Sequence, residues 1–200
     1  MTDRLPQLRP LYPEPTERAQ RKEIRHLDKH CKRFIALSPF LVLASADTQN
    51  LCDASPRGGD PGFVKVLGDT TLLIPDAPGN NRLDTMQNIQ ASGRLGVLFL
   101  IPGFDETLRV NGRARISIDA EQIRLCTTEK RAPKVVIELR AEQVYLHCAK
   151  ALMRSKLWSD ASRVARTALP TMGQMIADQS GLDSAPETQE AMVARYQRDL

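Results

Sequence analysis

Residues 53–68 read DASPRGGDPGFVKVLG, a run rich in chain breakers set between two segments with strand character. By composition it is a hairpin loop, because Gly and Pro punctuate a sheet where the chain reverses. By chemistry it is more. Ser55 offers a hydroxyl, Arg57 a bidentate fork, and Gly58 and Gly59 permit φ > 0 and close approach of the backbone to a flat ligand. Both readings put the run in a sheet, so the flanking pattern decides the fold.

Upstream, FLVLASA at Phe40 to Ala46 is a short apolar run suited to a strand buried on both faces, and residues 47–50 supply a polar turn before LCDAS. Downstream, FVKVLG and TLLIPD flank Gly68-Asp69 as a hairpin. RLGVLFLIPG is a further buried strand. TLRVNGRARISI alternates, with Leu108, Val110, Ala114, Ile116 and Ile118 on one face and Thr107, Arg109, Asn111, Arg113 and Arg115 on the other. In KVVIELRAEQVYLHCAK the apolar phase shifts between Leu139 and Val144, which predicts a bulge near Ala141. Six to seven mostly antiparallel strands with flanking helices predict a mainly β fold of the α+β kind. Closure into a full or partly open barrel would remove its exposed edges. Alternating βαβ units are absent, which disfavours a doubly wound nucleotide fold.

The helices frame this sheet. Pro6, Pro10, Pro13 and Pro15 make residues 1–15 an arm lying over a surface. From Thr16, an N-cap, to about Leu37, Ile24, Leu27, Cys31, Phe34 and Ile35 recur at helical spacing. In PGNNRLDTMQNIQASG a short helix starts at an Asn80 or Asn81 cap, carries Leu83, Met86 and Ile89 on one face and stops at Gly93. After Ala149 come AKALMRSKLW, LPTMGQMIADQ with Pro170 at the first helical position, and PETQEAMVARYQRDL. The expected domains are therefore the arm, a barrel with its leading helix over 16–148, and a helical extension over 149–200.

Composition narrows the function. A hydrophobic fraction of 42% suffices for a core, while an aromatic fraction of 4% and a net charge of +4 argue against nucleic-acid binding. No apolar run reaches the length of a membrane span and the N-terminus has no apolar leader, so a cytoplasmic protein off the membrane is expected. Cys31, Cys52, Cys126 and Cys148 form no C-x-x-C pair and read as buried thiols. His26 and His30 lack a third ligand beside Cys31, so no metal is expected. Nucleotide-loop, nucleophile-elbow and zinc-protease signatures are missing. His147-Cys148 has no acidic partner fixed by sequence, and Asp105 and Glu106 read as solvated turn residues.

One corner stands out. Pro78 to Arg82 lead into the helix above, and a helix N-terminus beside a guanidinium suits a phosphate monoester. Read together, FLVLASAD, DASPRGGDPGFVKVL, TLLIPDAPGNNRLDTMQNI, RLGVLFLIPG and ETLRVNGRARIS resemble the pyridoxamine 5′-phosphate oxidase-like family of FMN-binding split-barrel proteins, over roughly Phe34 to Ser117. The Ser-Pro-Arg-Gly run and HCAKALMRSKLW are closer to a bacterial subgroup and extend the likeness over most of the chain.

The resemblance implies a homodimeric split β-barrel with FMN at the subunit interface, each flavin touched by both chains. On its motifs, Asp53, Ala54, Ser55, Pro56 and Arg57 line the isoalloxazine and reach the phosphate. Pro75 and Asp76 match the pair closing the fourth strand, Asn81 and Arg82 grip the phosphate, and Thr107 contacts the flavin. The oxidase's Arg-x-x-x-x-Lys strand and its Trp-rich C-terminal segment are absent, so the substrate is not implied. Lys150, Arg154 and Trp158 either approach the partner's flavin or belong to a packed helix. The implied activity is FMN-dependent oxidoreduction with no catalytic side chain demanded; the alternative is non-catalytic flavin binding for storage or sensing.

Overall fold

Seven strands make one sheet: β1 (Phe40–Ala46), β2 (Cys52–Gly58), β3 (Lys65–Leu67), β4 (Thr71–Pro75), β5 (Arg94–Leu100), β6 (Thr107–Ser117) and β7 (Val136–His147). Every neighbouring pair is antiparallel, in the order β2-β1-β5-β6-β7-β4-β3. In this computed structural model residues 8–181 and 186–198 are described. Residues 1–7 of the expected arm and 199–200 of the last expected helix lie outside them.

The breaker-rich run is not a hairpin. It joins β2 to β3, which form the two opposite edges of the sheet. Laid flat, seven strands would separate those edges by about 29 Å. The seven Cα steps from Gly58 to Lys65 reach about 25 Å at most. The sheet must therefore curl until its edges approach without pairing, which is the split barrel. Composition marks a loop but cannot say which strands it joins.

The curl encloses one main core. Leu41 and Leu43 of β1, Phe99 of β5, Leu108 of β6 and Leu139 of β7 are fully buried in it. β1 alternates rather than burying both faces: Leu41, Leu43 and Ser45 point inward, while Phe40 remains 38% exposed. Ile118 falls off the β6 alternation because the strand ends at Ser117, and it is exposed. The bulge lies where the phase shift predicts it. Asn111 pairs with Gln143 and Gly112 with Ala141, leaving Glu142 as the extra residue. A Cβ on Gly112 would sit 1.9 Å from the Arg140 carbonyl oxygen, so the backbones touch at the step.

The expected helix over 16–37 is broken in two. α1 (Glu17–Arg21) is capped by Thr16, and α2 (Lys29–Leu37) by Asp28, whose carboxylate accepts from Cys31 N at 2.8 Å. Between them Ile24 bridges to Val144 of β7 with hydrogen bonds of 2.9 and 2.8 Å. β4 covers β7 only from Val136 to Arg140, so Ile24 takes up backbone groups that β4 leaves open. Leu27, Cys31 and Ile35 then plug the core. In the described arm, Leu11 and Tyr12 stay exposed rather than lying on a surface.

α3 (Asp84–Ser92) follows β4, and α4 (Ala120–Cys126), which the sequence reading left unassigned, places Cys126 against Leu73 and Val136 in a small second core. The chain divides into two compact units after Arg154, within the last turn of α5 (Lys150–Ser155). In the second unit, α6 (Met172–Ser180) is capped by Thr171 and α7 (Gln189–Tyr196) by Thr188. Pro170 thus precedes the cap instead of opening the helix. Cys31 and Cys126 are buried, and burial pushes the Cys31 thiol up to about 12. Cys52 and Cys148 are exposed, against expectation, because each flanks a strand end. No helix among the described residues is long and apolar enough to cross a membrane.

Candidate functional site

β2 is an edge strand, which is why it tolerates Pro56 and inward-pointing polar residues. Its register divides the five residues assigned to it. Asp53, Ser55 and Arg57 face Ser45, Leu43 and Leu41 and share their inner face, half-buried; Ala54 and Pro56 are exposed on the outer face. The Arg57 guanidinium donates to Ser55 Oγ at 2.5 Å and to the Pro56 carbonyl at 2.8 Å.

Across the split, Pro75 ends β4 and Asp76 N donates to the Val135 carbonyl at 3.1 Å. Burial holds the Asp76 carboxyl above its ordinary range, opposed by the Ala77 N–H and by the charges of Arg57, Lys134 and Arg131.

α3 begins later than expected. Asn80 caps a turn rather than the helix: its Oδ1 accepts from Arg82 N at 3.0 Å. Asn81 and Leu83 both take left-handed backbone, with φ of 58° and 62°, an uncommon and strained choice for a leucine. The first turn of α3 carries no side-chain cap. Arg82 stands before it, largely exposed, its Nε held by Asp84 at 2.7 Å, and the negative charge of Asp84, with a lesser contribution from Asp53, favours its charged form.

Asp53 is held by side chains of α3 and β1. Its Oδ2 accepts from Thr85 Oγ1 at 2.5 Å and from Ser45 Oγ at 3.5 Å, and Asn88 Nδ2 donates to Ser45 Oγ at 3.0 Å. Ser45, Thr85 and Asn88 are buried, so this network fastens α3 to β1 and β2. The sequence reading missed it. The inward face of α3 is Thr85, Asn88 and Ile89, while Leu83 is 51% exposed. Two polar residues in register with Ile89 were the available signal.

The structure thus sets Asp53, Ser55 and Arg57 on the inner face of β2, Pro75 and Asp76 at the end of β4, and Asn81 and Arg82 ahead of α3, which is bonded to Asp53 through Thr85. It does not bring Thr107 to them. Thr107 is buried at the start of β6, three strand steps from β2, about 14 Å along the sheet. Nor do Gly58 and Gly59 adopt positive φ; of the four glycines in residues 53–68, Gly62 and Gly68 do. A Cβ at Gly59 would meet Phe63 at 2.9 Å, so the packing of Phe63 demands that glycine. His26 and His30 are exposed, and no metal-binding cluster occurs among the described residues. Lys150 and Arg154 are exposed on α5, and Trp158 belongs to the second unit.

A family model described as pyridoxamine 5′-phosphate oxidase matches residues 27–148. No curated protein matches the sequence. Among solved structures, a HupZ variant of Group A Streptococcus aligns at 16% identity over 60% of this chain and 99% of that one, with a TM-score of 0.50. An FMN-binding protein of Syntrophomonas wolfei aligns at 13% identity over 61% and 86%, with a TM-score of 0.43. HutZ, the heme storage protein of Vibrio cholerae, aligns at 12% over 60% and 93%, with a TM-score of 0.39. At 16% identity the likeness to HupZ speaks for the fold alone. The family match spans more than half of the chain and coincides with the split barrel, and the chain belongs to the pyridoxamine 5′-phosphate oxidase-like family.

Proposed function

We propose that this chain binds FMN at the split between β2, the end of β4 and the start of α3, and acts as an FMN-dependent oxidoreductase. The observation that carries the reading is the uncapped first turn of α3 with the exposed Arg82 guanidinium in front of it. Free N–H groups and an adjacent fork fit a phosphate monoester. The polar inner face of β2 fits the other end of the ligand.

In this reading Arg82 and the α3 amides hold the phosphate, with the Asn81–Leu83 backbone turning those amides outward. Ser55 and Arg57 address the polar edge of the ring, where the guanidinium offsets negative charge. Asp53 is a positioning residue that fixes α3 against β2. FMN, when bound, supplies the hydride and electron chemistry. Asp76, half-buried beside Arg57, is the group on this face whose proton affinity is raised.

The proposal includes a homodimer with FMN at its interface. Thr107 is three strands from its own chain's β2, and a second copy offers a way to bring it to the flavin. Phe40 and Leu146 remain partly uncovered apolar residues suited to such a contact.

The purified protein is expected to be yellow, or to take up FMN with quenching of flavin fluorescence. Arg82→Ala should weaken that binding about tenfold. Bleaching of the visible flavin band by NADH or NADPH distinguishes the oxidoreductase from a storage or sensing protein. A colourless protein that takes up no FMN overturns the reading.

A further inference from the structure

The outer face of β6 carries three arginines with unlike surroundings. Arg113 Nε donates to Glu142 Oε1 at 3.0 Å, and Arg115 Nη2 to Glu138 Oε2 at 2.6 Å. Arg109 has no ion pair among the described residues. Its Nη2 donates to Gln143 Oε1 at 3.0 Å, its guanidinium carbon lies 4.1 Å from the Tyr145 ring centroid, and its buried Nε meets no acceptor.

A second cation uses the same ring: Lys22 Nζ is 4.8 Å from the Tyr145 centroid and donates to the Leu146 carbonyl at 3.1 Å. The His147 ring lies 4.9 Å from that of Tyr145. Burial, then Arg109 and Lys22, hold its pKa below the ordinary value. The Glu23 carboxylate accepts from Gln143 Nε2 at 2.6 Å, on the far side of the amide whose oxygen serves Arg109 and Asn111.

A half-buried guanidinium is costly without a counter-ion, and a cation–π contact offsets only part of that cost. Here a second cation and an imidazole add to the positive field. A field of this sign, beside a buried Nε without an acceptor, suits an anion.

We propose that the outer face of β6 and β7, at Lys22, Arg109, Tyr145 and His147, binds a small oxyanion, a carboxylate or a phosphate. Arg109 and Lys22 donate to its oxygens, and His147 gains a proton beside it. None of these four residues is among the flavin candidates, and the proposal does not rest on the flavin reading.

The test uses the full chain without added flavin. The protein has only three histidines, so each imidazole can be followed separately by NMR during titration with inorganic phosphate and, in a second arm, with succinate. A saturable shift of His147 with a raised pKa is expected, while His26 and His30 report ionic strength alone. Response to phosphate alone, or to succinate alone, identifies the ligand class. Arg109→Gln should weaken the response about tenfold and Arg109→Lys severalfold, since lysine keeps the charge and loses the fork. Lys22→Gln, at an exposed position, should weaken it severalfold and covers the case in which an Arg109 variant does not fold. Arg82→Ala should leave it unchanged. Absence of a saturable shift with either anion, persistence of the full response in folded Arg109→Gln or in Lys22→Gln, or its loss in Arg82→Ala overturns the proposal. FMN titration of the same variants reads the flavin site separately.

Discussion

The β6–β7 ribbon has two halves that meet at the Glu142 bulge, and they treat the same residue type in opposite ways. In one half Glu142 holds both Arg94 and Arg113, and Glu138 holds Arg115 and Gln122. In the other, Arg109 faces Tyr145 across the ladder and has no carboxylate partner among the described residues. The arginines share a strand, a face and a spacing. What separates Arg115 from Arg109 is the cross-strand partner, Glu138 opposite the one and Tyr145 opposite the other, while Arg113, opposite Arg140, reaches the bulge residue Glu142. A charged alternation therefore states which side is wet, and the partner strand states whether a charge is structural or available.

The strongest way to break this division is to remove the step between the halves. Gly112→Ala puts a methyl against the Arg140 carbonyl and should cost about 3 kcal/mol or more, read by urea unfolding. Parental stability would mean that the bulge is not fixed there.

Next in size is the contrast between two arginines. Phosphate should raise the Tm of the parent and of Arg113→Met above its value in chloride at matched ionic strength, and that gain should vanish in Arg109→Met. Equal gains in all three would erase the distinction.

Acid should act on the open half. The folded-state pKa of His147 lies below its unfolded value, near 6.5. The unfolded chain thus binds more protons in the window between them, and stability is lost as pH falls through it. Arg109 and Lys22 facing the imidazole oppose the added charge, with Glu23 one amide away. Parent Tm should fall more than that of His147→Gln between about pH 7 and about pH 5.5. The smallest effect is expected from Glu142→Gln in the paired half, a slight loss of Tm that added salt removes, as befits an exposed pair.

These halves also show what a sequence discloses. The β6 alternation and the bulge were legible because one-sided burial prints a period of two, and the extra Glu142 shifts its phase between Leu139 and Val144. Topology was less legible. The β2–β3 run has a loop's composition whether it joins neighbours or opposite edges. Ile24 fits the helical spacing of Leu27 and Cys31, yet it is held in a β-bridge, because a buried apolar residue at one position does not reveal its backbone. Arg57, Asp76 and Arg82 were nameable from motif. The Ser45–Asp53–Thr85–Asn88 network was not, since its members lie far apart in sequence and acquire meaning only when α3 docks.

That network has a consequence for assembly. Thr85 and Asn88 need acceptors and donors from β1 and β2 before they can leave water, so α3 cannot dock ahead of the β1–β2 hairpin. The hairpin's outer strand in turn is paired on one side only. In hydrogen-exchange terms the amides of α3 and β2 should open as one cooperative unit. A ligand gripping either segment would slow the opening of both.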